Sequence, residues 1–365
     1  MISFSDPSKS ILKYKNLYIN AFKKVLNSKR YILGSQCQLL EKEFAAFIGV
    51  NYSIGVANGT DGIELVLRAL NLGNGCEIIT VSHTAVATIA GIEAAGAKPV
   101  LVDVNEKTLT IDTTRIEKAI NKKTRAVMPV HLYGQSCRLD DLLHICKKFN
   151  LLLIEDVSQA HGATWKNRKL GSFGIAGLFS CYPTKNLGAI GDAGLITTNS
   201  RQLAEKIKMI REYGWKSRYI SFFKGRNSRI DELQAAFLRI KLKKLNSENR
   251  KRQKIASFYY KHLKSKLIAL PKKEQNSSHV FHLFVVRSPV RKTIISQLQK
   301  NNINPGIHYP QPIHLQKAYF KNIKLSGSLD TTEKICREVL SLPMYPDLSK
   351  KELLRICKCI NRIKV

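Results

Sequence analysis

From Ser53 to Thr198, short β-branched apolar runs alternate with stretches whose apolar residues recur at three-to-four spacing. Short unbroken apolar runs bounded by turn residues predict buried strands, and the longer spacing predicts helices. On this basis strands are predicted at 54–57, 77–81, 100–104, 126–130, 151–156, 177–181 and 195–198, with helices between them such as 63–70 and 139–149. Alternation of this kind predicts an α/β fold with a mainly parallel sheet covered on both faces. Ligands of such sheets gather at the carboxyl ends of the strands, so the loops after each strand hold the candidate chemistry.

Beyond Thr198 the pattern turns helical. Helices are predicted at 201–213, 230–245 and 250–267, the last strongly basic. A Lys/Glu/Asn/Ser stretch at 272–278 then leads into a strand at 280–286 and helices at 292–300, 331–340 and 349–360. The last helix opens Ser349-x-x-Glu352, a capping box in which each side chain satisfies a free amide of the first turn. The change of pattern predicts a large domain over 1–249 and a smaller C-terminal α/β domain over 250–365. The longest purely aliphatic runs, such as 151–154, are too short to span a bilayer. The first six residues carry no basic segment followed by an apolar one, so a cytoplasmic protein is expected.

Composition excludes a disordered chain, since 365 residues with 44% apolar and 24% charged content suit a globular protein. Eight cysteines make no Cys-x-x-Cys pair, and free thiols with no metal are expected. Charge is the unusual feature: 60 bases stand against 27 acids, a net +33. Residues 1–200 hold 23 bases and 16 acids, and residues 201–365 hold 37 and 11. A nucleic-acid-binding regulator is one reading of that surplus. No zinc finger, RNA-binding aromatic motif or basic heptad accompanies it, and a positive field that draws in an anionic small substrate explains part of it.

Three segments carry candidate chemistry. Asn58-Gly59-Thr60-Asp61-Gly62 opens a helix after the first strand, where free amides and the helix dipole suit an anion. It matches neither the dinucleotide fingerprint nor the Walker loop, and a plain capped turn is the simpler reading. The run Leu151–Ile154 ends in Glu155-Asp156, followed by Gln159 and His161. A carboxylate buried there needs a cation or hydrogen-bond donors. Twenty-nine residues after Asp156 comes Lys185, in an uncharged glycine-rich loop. Desolvation in such a loop lowers an amine toward a nucleophilic pKa.

Together with His83-Thr84-Ala-Val-Ala-Thr88, His131-Leu-Tyr-Gly134, Ser180, Lys185-Asn186-Leu187-Gly188, Asn227-Ser-Arg229-Ile-Asp231 and His308-Tyr-Pro310, these segments resemble the DegT/DnrJ/StrS-type nucleotide-sugar aminotransferases. The resemblance runs in consistent order from about Tyr31 to Tyr319. It implies PLP fold type I, aspartate aminotransferase-like, with pyridoxal 5'-phosphate as cofactor. It implies that Lys185 holds the cofactor covalently and shuttles a proton, while Asp156 pairs with the pyridine nitrogen. Gln159 is expected near the ring's phenolic oxygen, and Gly59, Thr60 and Ser180 around the phosphate. Asn227 matches the family's asparagine that reaches the phosphate of a neighbouring subunit, which implies a homodimer with shared sites. Its simpler reading is a helix cap. His83 is a candidate to stack on the cofactor, because Ala85 stands where the family often has an aromatic residue. His161, Tyr182, His308 and Tyr309 are expected on the substrate side. The Tyr213–Tyr219 loop could offer aromatic and basic contacts to a nucleotide diphosphate.

The variant Gly191-Asp192-Ala193-Gly194, where many members have Gly-Glu-Gly-Gly, resembles enzymes that aminate the 3-keto carbon of dTDP-linked 6-deoxy sugars. The resemblance therefore implies transamination of a dTDP-3-keto-6-deoxyhexose with L-glutamate, in surface polysaccharide or glycoconjugate synthesis. Amination of a dTDP- or UDP-4-keto sugar is the alternative. A sugar dehydratase fits less well, because such relatives replace the lysine with histidine and Lys185 is present.

Overall fold

The computed structural model describes residues 1–320 and 323–364. All seven strands predicted in the first 200 residues form: β1 Tyr52–Val56, β2 Glu77–Val81, β3 Lys98–Val102, β4 Thr124–Val127, β5 Leu152–Asp156, β6 Ala176–Ser180 and β7 Gly194–Thr198. Later strands include β8 Phe284–Arg287, β9 Lys324–Leu325 and β10 Val339–Leu342. The main sheet has the order β9-β3-β2-β4-β5-β6-β7-β1. Neighbours are parallel except at β7, which runs antiparallel to β6 and to β1.

Successive side chains of a strand point to opposite faces, and the core divides accordingly. Val127, Leu153, Phe179 and Leu195 join one cluster, packed with Leu40 and Phe44 of helix α1 (Ser35–Ile48) and Leu139 and Leu142 of α4 (Leu139–Lys148). Ala126, Ile154, Leu178 and Ile196 join another, beneath α2 (Gly59–Ala69) and α5 (Arg201–Ile210). Between α2 and α4 in the chain lies α3 (Val86–Ala94).

The chain beyond Thr198 departs from the predicted helices in three places. The helices expected at 230–245 and 250–267 are one helix, α6 (Glu232–His262). Polar residues 246–249 separate the two expected helices, but polarity alone does not end a helix without Gly or Pro. Asn249 and Arg252 are instead buried, with their polar atoms partnered. The helix expected over 331–340 ends at Glu338, as α8 (Asp330–Glu338), and the chain extends into β10, which pairs antiparallel with β8. The helix expected over 201–213 stops at Ile210, as Tyr213 takes a left-handed φ of 61°. The remaining helices, α7 (Arg291–Lys300) and α9 (Lys350–Asn361), form as predicted, and Ser349 and Glu352 make the capping box.

Leu238, Leu242 and Leu245 of α6 pack in the sheet's first cluster, whereas Ile255, Ala256 and Tyr259 pack in a third with β8, α7 and α9. All eight cysteines are free thiols. Among the described residues no helix is long and apolar enough to cross a membrane, and no cluster of His, Cys, Asp or Glu is placed to hold a metal.

Candidate active site

Strand direction brings the site together. β1, β5 and β6 point the same way, so Asn58, Asp156 and Ser180 emerge at one edge of the sheet. β7 runs between β1 and β6 with Gly194 paired to both Val56 and Ser180. That register sets the start of α2 against Ser180. A Cβ on Gly59 would lie 2.8 Å from Ser180 Cβ, so only glycine permits the contact. Asn58 caps the helix by accepting from the Asp61 amide at 2.8 Å. The amides of the helix's first turn and the Ser180 hydroxyl thus form a cradle at its positive end.

Beside the cradle a cavity of about 570 Å³ is lined by Gly59, Thr60, Asp156, Gln159, Ser180, Tyr182, Lys185, His308 and Tyr309, among others. Nine of the twelve residues predicted for the site therefore share one cavity.

β5 separates the two carboxylates at its end. Asp156 faces the cavity, accepting from Thr88 Oγ1 at 2.9 Å and from the Ser158 amide at 3.1 Å. Glu155 points the other way, accepting from the amides of Gly171, Phe173 and Gly174 and lying 3.3 Å from His131 Nε2. Burial works against its charge, but the His131 ring and the amides outweigh it and hold the carboxyl below its usual value. Glu155 thus anchors a loop, and Asp156 serves the cavity.

Lys185 sits in a tight loop whose backbone closes through Lys185 N to Tyr182 O and Ala189 N to Cys181 O, both at 2.8 Å. Burial pushes its amine down to about 8, against the pull of Asp156. The next side chain, Asn186, donates to Asn249 Oδ1 at 2.9 Å and to the Val280 carbonyl at 3.1 Å. Asn249 Nδ2 in turn donates to the His161 carbonyl at 2.9 Å. One side chain of α6 therefore ties the lysine loop to the loop that follows Asp156.

Gln159 accepts from the Tyr133 amide at 2.9 Å and donates to Tyr309 Oη at 3.0 Å. Burial raises the Tyr309 phenol to about 12 and, with Lys185 nearby, lowers the His308 ring to about 4. Both rings are neutral at pH 7.

Three predicted site residues lie outside this lining. His83 is buried behind the wall, with Nε2 2.7 Å from Tyr133 Oη and Nδ1 3.4 Å from Cys336 Sγ, so it does not face the cavity. His161 is fully buried, 5.4 Å from the Phe179 ring and against the Ser180 backbone, so it does not face the cavity. Asn227 is exposed. It does not cap α6 either, because the capping position is Asp231.

Sequence reasoning missed Thr88 and His282, both in the lining. Thr88 lies one turn from Thr84, to which its hydroxyl bonds at 3.0 Å, and that spacing was readable. His282 is buried with Nδ1 unpartnered; its signal is a titratable residue inside the apolar run 280–286.

A family model described as the DegT/DnrJ/EryC1/StrS aminotransferase family matches residues 13–361. The chain belongs to that family. This chain is a pyridoxal-phosphate-dependent sugar aminotransferase with the α/β fold of that class. A dTDP-3-amino-3,6-dideoxy-alpha-D-galactopyranose transaminase of Aneurinibacillus thermoaerophilus is 45% identical over 362 residues, covering 99% of both chains. The crystal structure of Streptomyces venezuelae DesV in complex with a ketimine intermediate superposes with a TM-score of 0.95 at 39% identity, covering 99% of this chain and 97% of that one. A Bacillus subtilis structure, ntda with bound cofactor PMP, gives 0.89 at 30% identity over 95% and 81%. The residues of this aminotransferase fit the cofactor: the cradle that a Cβ at position 59 would fill suits a phosphate, and Lys185 stands in the same cavity as Asp156.

Proposed function

We propose that this aminotransferase converts a dTDP-3-keto-6-deoxyhexose to its 3-amino sugar with L-glutamate as donor. The supporting observation is one cavity that combines a depressed lysine amine, a donor-supported carboxylate and an anion cradle, in a chain 45% identical to a dTDP-3-amino-sugar transaminase. When bound, pyridoxal phosphate supplies an electron-accepting ring that carries the amino group between the two substrates.

The chain's own residues divide the remaining work. Asp156, oriented by Thr88 and Ser158, holds the proton on the pyridine nitrogen. The Lys185 amine takes a proton from the amino-bearing carbon of the donor in one half-reaction and delivers one to the keto carbon of the sugar in the other. That task suits a base whose pKa lies near neutrality. Gly59, Thr60 and Ser180 hold the phosphate. Tyr182, His308 and Tyr309 face the sugar, and the neutral rings of His308 and Tyr309 exchange hydrogen bonds with hydroxyls without adding charge.

Recognition of the anionic substrates calls for a second copy. Among the described lining residues Lys185 is the only lysine or arginine, beside Asp61, Asp156 and Asp192. We assign the missing cations to the partner of a homodimer. Exposed Asn227 reaches the partner's cofactor phosphate, and the strand pair Trp215–Ser217 and Ile220–Ser221 offers Tyr219, Lys216 and Arg218. The net charge of +33 would draw a nucleotide diphosphate toward the assembly. We further place the enzyme in the cytoplasm, serving surface polysaccharide or glycoconjugate synthesis, and divide it into domains 1–249 and 250–365, joined through α6.

The reading is tested by incubating the enzyme with glutamate and either the dTDP-3-keto or the dTDP-4-keto sugar, then locating nitrogen in the product. A 3-amino sugar is expected. A product aminated at carbon 4 would replace this reading with the 4-keto one.

A further inference from the structure

Behind the cavity wall lies Tyr133, a buried residue that lines none of the cavity. Its φ of 61° is left-handed, a backbone state that a bulky residue holds only when its surroundings over-determine it. The surroundings here are specific. The Tyr133 amide donates to Gln159 Oε1 at 2.9 Å, and its carbonyl accepts from the Leu283 amide at 3.3 Å. Its phenol hydroxyl donates to the His308 carbonyl.

That donation fixes the neighbouring proton positions. A phenol carries one hydrogen, so the contact with His83 Nε2 at 2.7 Å must be donated by the histidine. His83 Nδ1 is then bare and faces the Cys336 thiol at 3.4 Å. His83 buttresses Tyr133.

The bonds close a ring. Tyr133 N reaches Gln159 Oε1, Gln159 Nε2 reaches Tyr309 Oη at 3.0 Å, and the chain passes back from Tyr309 to His308, whose carbonyl returns to Tyr133. With the Tyr133 amide as donor, the Gln159 side chain has only one orientation: its oxygen toward Tyr133 and its NH2 toward Tyr309.

We propose that Tyr133 is a positioning residue, which fixes the 308–309 segment against Gln159 so that the sugar-facing and cofactor-facing walls keep one relative placement. This inference rests on the functional reading above, in which His308 and Tyr309 face the sugar. The two ends of the ring act on different partners. Losing the hydroxyl frees the His308 carbonyl and loosens the 308–309 segment, which keeps the Tyr309–Gln159 bond and the 2.8 Å contact of His308 Nδ1 with Ser341 Oγ. The backbone amide still holds Gln159. The sugar half of the reaction should therefore suffer far more than the donor half.

The test is Tyr133→Phe, with the two half-reactions followed separately in single turnovers. The rate constant with the keto-sugar is expected to fall about 10- to 100-fold, and that with glutamate by less than about threefold, the range that ångström-scale misplacement produces. Amide exchange over residues 306–311 of the cofactor-free protein should speed up about tenfold. If the single variant does not fold, Tyr133→Phe/His83→Leu removes the imidazole donor that the single variant strands and answers the same question. Unchanged exchange over 306–311, or equal loss in both half-reactions, would overturn the proposal. A wild-type enzyme that aminates no keto-sugar would overturn the functional reading, and the exchange measurement would still decide the role of Tyr133.

Discussion

A lysine among 41 is distinguished by its surroundings, and those of Lys185 make a measurable difference. Burial favours the free amine and Asp156 favours the ammonium; burial prevails, leaving a midpoint near 8 against an ordinary 10.5. Below that midpoint the group is protonated and unreactive. Above it, the lone pair is available. Competitive acetylation of the cofactor-free protein, read by mass spectrometry, should therefore show Lys185 labelling rise with pH and level off above about 8, where surface lysines still climb. Asp156→Asn should move that midpoint down, because it removes the charge that supports the ammonium. An upward shift would mean that another group holds the proton. Lys185 and Asp156 were legible in the sequence because each ends or follows an apolar run at the ligand edge of the sheet. His83 and His161 were misjudged for a related reason: a histidine in a motif shows that it matters, but not whether it faces the cavity or the packing behind it. His161, its ring tilted 56° to that of Phe179, belongs to the packing.

At the scale of elements, α6 governs the site without entering it. Asn249 uses both ends of its amide, accepting from Asn186 and donating to the His161 carbonyl. Asn249→Ala should lower the stability of the cofactor-free protein by about 1–3 kcal/mol in urea unfolding, the cost of stranding buried partners. It should also speed cofactor loss on dialysis, because the lysine loop and the Asp156 loop lose their common brace. Stability lowered without faster loss would assign Asn249 to packing alone. The seven central strands were readable because buried apolar runs have few alternatives. The continuity of α6 and the turn at Val339 were not. Both depend on which polar atoms find partners in the folded protein, and β10 exists because β8 offers it a ladder four residues long.

For the whole molecule, assembly is the consequence that remains to be measured. If Asn227 serves the partner's cofactor, mixing Lys185→Ala and Asn227→Asp chains should restore activity, since one site of each heterodimer holds neither defect. Parent-level activity after verified subunit exchange would show that each chain completes its own site. A cofactor that binds only the assembled form must also tighten the dimer by the same free energy, which sedimentation with and without cofactor would register. The basic surplus, by contrast, was visible in the composition and says little about the fold, since charge on solvated faces does not select a topology. One feature of the fold reaches back to synthesis. Residues Ile2–Ser3 pair in parallel with Ile303–Asn304, and the core beneath the sheet is closed by Ile335 and Val339. At roughly 5–20 residues per second, the Ile2–Ser3 strand waits about 15–60 s after its synthesis for its mate. For that interval the nascent chain carries an unpaired strand and an unfinished interior, so a ribosome that stalls before residue 303 leaves an aggregation-prone fragment.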